Sequence, residues 1–438
     1  MSLPRYPGYK DSGVEWLGEV PGHWAIQPFL SLAVERNEPN TGMLEDNLLS
    51  LSYGRIVRKN IESNDGLLPE SFETYQIVRP GDIVFRLTDL QNDKRSLRTA
   101  IVNEQGIITS AYLAAMPTGL QPRYLSYLLR AYDVTKVFYS MGGGLRQSMK
   151  FSDIKRLPTL SPPPHEQTAI ATFLDRETAK IDELIAEQEK LIVLLAEKRQ
   201  ATISHAVTKG LNPAAPMKES GAEWVGVVPA HWKVRRVKDV SRLESGHTPS
   251  KQLPEYWENC EIPWVSLNDS KYLAANDYIS DTAFKINELG LANSSARLLP
   301  SETVVFTRDA TIGLAAITTR PMTVSQHLIA WCPTGQMVPK YLLRVFNAMK
   351  SHLDSYTFGA TIKTIGLGDV KTLMTPVPPL SEQAEIVSFL DSEITALDKL
   401  MAESSIVVDL LKERRTALIS AAVTGKIDVR HLAEQKAA

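Results

Sequence analysis

Two groups of side chains in the sequence are of types that do chemistry. The first is a run of cations and amides, Gln91, Asn92, Lys94, Arg95 and Arg98, joined by a separate basic loop at Arg55, Arg58 and Lys59. Guanidinium and amide forks match the edges of DNA bases, while any cation satisfies a phosphate. Taken singly, each of these residues reads as a solvated surface charge; as sets they point to nucleic acid. The second group is Trp16, His23 and Trp24, which recurs as Trp224, His231 and Trp232. A lone histidine with no carboxylate or second histidine beside it suits neither metal binding nor acid–base work, so packing is the expectation here. Glu166-Gln167 and Glu382-Gln383 stand at the starts of helical stretches, where acidic and amide groups are expected to meet exposed N–H groups and the positive end of the dipole.

The sequence carries no glycine-rich nucleotide loop, no Asn-Pro-Pro-aromatic run, no Gly-Lys-Ser/Thr and no acidic metal cluster, and Gly142-Gly-Gly144 reads as a turn. A DNA methyltransferase or nuclease in its own right is therefore not expected. A pure protein-binding scaffold would leave the two unlike basic segments unexplained. With 43% hydrophobic and 22% charged residues the chain is an ordinary globular one, and 438 residues call for two or more domains. Cys260 and Cys332 are too few for a disulfide scaffold or thiolate metal site and are expected as buried hydrophobes. No membrane span or leader is read, which makes a cytoplasmic location the default expectation. The net charge of -2 hides a segregation. Residues 25–160 and 233–376 come to about +2 and +3 by count, and the stretches after them are acidic.

The elements that must position these groups are written twice. Residues 10–24, Lys-Asp-Ser-Gly-Val-Glu-Trp-Leu-Gly-Glu-Val-Pro-Gly-His-Trp, return at 218–232 with about ten of fifteen positions identical. Residues 162–175 return at 378–391, and Ile203-Ser-His-Ala-Val-Thr208 at Ile419-Ser-Ala-Ala-Val-Thr424, with a shift eight residues larger. Behind each proline run lie about 42 residues free of Gly and Pro, enough for a helix of roughly 60 Å. Apolar residues recur at near-heptad steps: Ile170, Leu174, Ile181, Leu184, Leu191 and Leu195 in one, Ile386, Leu390, Leu397, Leu400, Val407 and Leu411 in the other. This is a coiled-coil stripe, with Asp182, Glu183, Glu413, Arg414 and Arg415 on or beside its edges. Two related units about a pseudo-two-fold axis would make the pair antiparallel. Such a spacer could set basic domains one or more turns of B-DNA apart, about 34 Å each, and a turn inserted after Gln188 would then change the spacing. Between the helical stretches the pattern is mixed α/β, with strands at 82–85, 303–306 and 315–318 and short helices at 124–132 and 341–349. Arg79-Pro-Gly-Asp82 pairs with Leu299-Pro-Ser-Glu302, and Phe151-Ser-Asp-Ile154 with Leu367-Gly-Asp-Val370, as landmarks of one fold in two versions.

The Glu-Trp-(Leu/Val)-Gly-x-Val-Pro-x-His-Trp run, the Thr307-Arg-Asp-Ala-Thr-Ile-Gly313 turn, Phe358-Gly-Ala-Thr-Ile-Lys363 and the Pro-Pro-x-x-Glu-Gln helix start resemble the specificity subunits of Type I restriction-modification enzymes, across nearly the whole chain. The resemblance implies a non-catalytic subunit with two α/β target recognition domains, at 1–160 and 217–376, and two spacer helices, at 161–216 and 377–438, packed as an antiparallel coiled coil. Each domain would read half of a split site in double-stranded DNA. The helices would set the gap and dock two modification (methyltransferase) subunits and the restriction/translocase subunits. No cofactor is expected on this chain, S-adenosylmethionine, ATP and Mg being expected on its partners. On this basis Arg308, Thr311, Thr361 and Lys363, with Ser250 and Lys251 after the Gly246-His-Thr-Pro249 turn, are the candidate contacts of the second domain. Arg86, Arg146, Gln147 and Lys150 join the first cluster by analogy. The first domain departs from the pattern, with Arg86-Leu-Thr-Asp-Leu-Gln-Asn92 and Gly142-Gly-Gly-Leu-Arg-Gln147 in place of the two motifs, as domains reading different bases should.

Overall fold

The computed structural model describes residues 4–60, 71–90, 97–141, 148–357 and 363–432. The chain divides into two compact units, Met1–Glu189 with Ile406–Ala438, and Lys190–Ser405. Two helices, Pro164–Lys209 and Leu380–Val423, each contribute one half to either unit.

The first unit is built on an antiparallel sheet in the order Ala33–Arg36, Leu113–Pro117, Ile83–Phe85, Thr99–Ile101. The second unit repeats that order with Ser241–Ser245, Leu328–Pro333, Val304–Thr307 and Ala315–Thr318, and adds Tyr278–Ile279 in parallel at the edge. Val304–Thr307 and Ala315–Thr318 are buried at every position, which is why they read as continuous apolar runs rather than alternating ones. Backbone pairing registers the units against each other. Gly81 N donates to Val102 O and Glu302 N to Thr318 O, both residues at positive φ. Gly81 therefore matches Glu302, one position away from the pairing the Arg-Pro-Gly-Asp landmark suggested. An amphipathic helix follows each sheet, Pro122–Val134 and Pro339–Ala348, each with proline in its first turn, where no N–H is missed. Outside this frame the units differ. The first carries the hairpin Leu49–Ser52/Arg55–Arg58, turned by Tyr53 and Gly54 with both φ positive. The second carries a three-stranded sheet of Phe284–Ile286, Ile262–Val265 and Thr323–Val324.

The repeated His-Trp pair has the carboxylate that its sequence neighbourhood lacks. In the first unit Trp24 Nε1 donates to Glu166 Oε2 at 2.9 Å, and His23 Nε2 lies 2.7 Å from Glu166 Oε1. In the second, Trp232 Nε1 and His231 Nε2 meet Glu382 at 2.8 and 2.7 Å. Both tryptophans are fully buried, so each indole N–H needs this acceptor. The arrangement locks the unit's first turn to the start of a long helix. Glu166 and Glu382 thus bind across elements instead of capping their own helices as expected. Gln167 and Gln383 do likewise: their Oε1 atoms accept Gln121 N and Val338 N at 2.7 and 2.8 Å, holding the approaches to the helices Pro122–Val134 and Pro339–Ala348. Trp16 packs edge-on against Tyr132, and Trp224 donates to Met374 O and stacks near His352.

Within each unit the two half-helices run antiparallel. In the first, Asp182 pairs with Arg415 and Glu189 with Lys412, and Ile181, Ile185 and Val408 form a small core. In the second, Arg199 pairs with Asp398, and Ile203, Ala206 and Val207 share the core with Ile386, Leu390 and Ile394. Ile170, Leu174, Ile181, Ile386, Leu390 and Leu397 are buried as expected, and Leu195 and Leu411 are half-buried. Leu184, Leu191, Leu400 and Val407 are not on the seam; all four are exposed, and Ile185, Ile192, Met401 and Val408 replace them. The reason is phase. Counting about 3.6 residues per turn from Leu174 or Leu390, which their units' cores pin inward, positions 185, 192, 401 and 408 come round to the seam and their predecessors fall about 100° away.

Among the described residues no helix is long and apolar enough to cross a membrane. Cys332 is buried beside Thr303, while Cys260 is half-buried with its thiol on Tyr256 O.

Candidate nucleic-acid interface

In the second unit three turns converge at one end of the strand Val304–Thr307. Thr307 Oγ1 donates to Thr311 O at 2.6 Å and accepts Leu314 N, and Gly313, at φ 82°, donates to Thr307 O. This folds Arg308–Ile312 into a tight loop. Ala310, at φ 63°, donates its N–H to Lys363 O, and Ile365 N returns a bond to Arg308 O. On the other flank Arg308 N donates to His327 O, and Arg308 Nε to Gln326 O at 3.1 Å. The turn at Gly246 completes the set: His247 N reaches Val324 O, and a Cβ at Gly246 would lie 1.9 Å from that same oxygen, so only glycine allows the approach.

Side chains link these turns. His327 Nδ1 contacts Asp309 Oδ2 at 2.6 Å, Gln326 Nε2 lies 3.2 Å from His327 Nε2, and Thr248 Oγ1 donates to Gln326 Oε1. Asp309 is buried, so it orients the histidine from below while Gln326 stays exposed above. Thr311, Lys363, Ser250 and Lys251 are exposed and Arg308 is partly so. An exposed amide, a guanidinium and an oriented imidazole between two lysine-bearing loops form a donor and acceptor array suited to base edges and phosphates. The sequence reading missed His247, Thr248, Asp309, Gln326 and His327. Its available signal was Ser325-Gln-His327, a polar interruption in an apolar run. Thr361 lies outside the described residues.

In the first unit the loop after Ile83–Phe85 follows a similar course. Asp89 takes φ 56°, and Met149 N donates to Leu87 O as Ile365 N does to Arg308 O. Leu87, which is buried, therefore stands where the second unit has Arg308, and Arg86 stands in the place of Thr307. The same register sets Lys150 opposite Gly366, each preceding a short helix, Phe151–Ile154 or Leu367–Val370. The motif pairing of the two domains runs in this same register, and it sets neither Arg86 nor Lys150 opposite a candidate contact of the second unit. Lys150 is exposed all the same, and with Thr88 and Ser148 it borders a cleft of about 440 Å³ whose other wall includes Asn37, Tyr75 and Tyr112.

Arg98 departs most from expectation. It is fully buried, with Nε on Tyr139 Oη at 3.2 Å and Nη1 on Thr88 O at 3.1 Å, so it supports the 86–89 loop from inside. A guanidinium with five donors is suited to gathering carbonyls that the loop leaves unpaired. Its own N–H bonds Asp133, whose carboxyl burial pushes up to about 6. Arg58 is exposed and ion-paired to Glu104, which holds its pKa above the usual value; Arg55 and Lys59 are exposed. Asn92, Lys94, Arg95, Arg146 and Gln147 lie outside the described residues.

Residues 229–408 match the family model of the Type I restriction modification DNA specificity domain. The chain is 31% identical over 170 residues to the Type I restriction enzyme MjaIX specificity subunit of Methanocaldococcus jannaschii, a match spanning 38% of each chain. It is 21% identical over 432 residues to the putative MjaX specificity subunit of the same organism, covering 94% of this chain and 96% of that one. A solved chain from work on complex assembly and conformational transition of the type I R-M system has the same fold, with a TM-score of 0.66 at 17% identity over 92% of this chain and 98% of that one.

Proposed function

Because the chain belongs to the specificity subunits of type I restriction-modification systems, we propose that it reads two unlike halves of a split duplex site, one with each unit. A specificity subunit is the non-catalytic member of such a system. The observation that carries the proposal is the contrast between frame and surface. Strand order, the His-Trp-Glu lock and the long-helix starts are the same in both units. Two adjoining turns bear Arg308 with Asp309 and Gln326 with His327 in one unit, whereas the loop matching the first of them bears Leu87 and Thr88 over a buried Arg98 in the other. Equal frames with unequal donor arrays suit two different base sequences.

Modification and restriction subunits are the partners this reading calls for, and S-adenosylmethionine, ATP and Mg belong on them. The long helices offer them apolar footing: Leu184, Ile406, Val407 and Leu410 are exposed in the first unit, Leu191, Val193, Leu194 and Leu400 in the second. Where exposed apolar side chains of this size gather into one patch, they suit a docking surface. The test is methylation of a randomised duplex library by this chain with its modification subunit. One split sequence with a fixed gap is expected; methylation without sequence preference would overturn the reading.

A further inference from the structure

The two locks are not equally complete. In the first unit Glu166 is sealed, its side chain only 2% exposed, because a guanidinium stands beside it. Arg430 Nη1 lies 3.7 Å from Glu166 Oε1, its fork pairs with Asp428, and its plane sits 4.9 Å over the Tyr6 ring. In the second unit Glu382 is 34% exposed, and a cleft of about 360 Å³ opens beside it, lined by Lys209, Asn212, Ala215, His231, Glu382 and Glu385 among others.

The cause is a difference in how many chain segments reach the site. In the first unit two segments meet there: Asp428 N bonds Pro4 O, and Tyr9 Oη bonds Gly425 O. They bring Arg430 and Tyr6. In the second unit a single connection runs from the end of the helix at Lys209 to the strand Met217–Glu219. The same turn marks the register, since Arg430 N donates to Asp428 Oδ1 at 3.1 Å and Ala214 N to Asn212 Oδ1 at 3.0 Å. Ala214 therefore matches Arg430 along the chain, and its neighbour Ala215 is the alanine of this turn that lines the cleft. The carboxylates are nonetheless kept at two, because Asn212 replaces Asp428 while Glu385 appears where the first helix has Ala169. Lys209, the lysine on this cleft, spends its ammonium on Val227 O at 2.6 Å.

A carboxylate pair, a histidine and an open volume remain where the sister site holds a guanidinium. We propose that this cleft takes an arginine side chain from the modification subunit, supplied in trans in the place Arg430 fills in cis. The proposal rests on the assembly described above. Planar bidentate pairing favours arginine over lysine at such a carboxylate pair.

The test uses the full chain and its modification subunit, with affinity measured by calorimetry at two salt concentrations. Glu385 is exposed and Ala215 is half-exposed in a surface turn, so substitutions there leave the core intact. Glu385→Gln is expected to weaken assembly about tenfold and flatten its salt dependence. Ala215→Arg, which places a guanidinium on the cleft wall from within, is expected to weaken it similarly while raising the thermal midpoint of the free chain. As a direct probe, millimolar N-acetyl-arginine amide should raise the midpoint of the unaltered chain more than the lysine analogue does, and should not raise that of the Ala215→Arg chain. If the unaltered chain assembles and both variants assemble with equal affinity, the cleft proposal is overturned and the family reading stands. If the unaltered chain does not assemble at all, both fall.

Discussion

Arg308 and Arg98 show how differently two arginines in related loops are used. Arg308 keeps part of its fork near the surface, anchored through Nε to Gln326 O, and Arg98 has no exposed surface at all. Arg308→Ala is expected to relax discrimination at one half-site by about 1–3 kcal/mol, roughly ten- to a hundredfold, and to leave the other half-site unchanged. Competition binding with duplexes altered in one half at a time measures this; equal loss at both halves would contradict modular reading. Arg98→Ala should act on folding instead, costing roughly 2–4 kcal/mol in the first unit as the carbonyls and Tyr139 lose their donor. Denaturant melts report it. Asp133 beside it makes stability pH-dependent. Burial pushes its carboxyl up to about 6, from an ordinary value of 3.8, so between these values the folded state holds a proton the unfolded chain has released. That contribution is complete below pH 3.8 and is lost as pH rises through 6. Asp133→Asn, which keeps the acceptor for Arg98 N, should therefore match the native chain near pH 4 and exceed its thermal midpoint at pH 7.

At the scale of elements, the seam between the long helices follows the phase set at their ends. Ile185 is buried against Val408, whereas Leu184, one residue earlier, is 46% exposed. Ile185→Ala is expected to cost about 2–5 kcal/mol and Leu184→Ala less than about 1, measured as midpoints of urea unfolding. If Leu184 also serves as footing for a partner, its loss should appear in assembly and not in the stability of the free chain. The Glu locks at the helix starts belong to this scale too. They tie an indole from the unit's first turn to a helix 142 or 150 residues further along, so each unit closes only when distant segments meet.

For the whole molecule, both long helices are continuous across the boundary between units. A turn inserted after Gln188, with a matching turn after Asp409, preserves the Asp182–Arg415 and Arg199–Asp398 pairs on either side. It should lengthen the gap of the recognised site while the two half-site sequences stay the same. Methylation mapping of the altered complex reads both quantities at once, and an unchanged gap would rule out the helices as the spacer.

The sequence by itself determined the duplication, the helices and the mixed α/β units between them, because periodicity and helix-breaking residues are local properties of a chain. It also marked out the Gly246, Arg308 and Lys363 segments, which the second unit does bring together. What it left open were choices made by partners far away in the chain. Whether residue 184 or 185 faces the seam depends on packing at Leu174, and whether 400 or 401 does depends on packing at Leu390. Whether Arg98 faces inward depends on Thr88, Tyr139 and Asp133 around it. The carboxylate for His23 lies 143 residues on, and the guanidinium beside it comes from Arg430 near the other end of the sequence. Burial and hydrogen-bond satisfaction are settled among such neighbours, and so only the tertiary structure could decide which charges stay available for DNA and which are consumed in holding the fold.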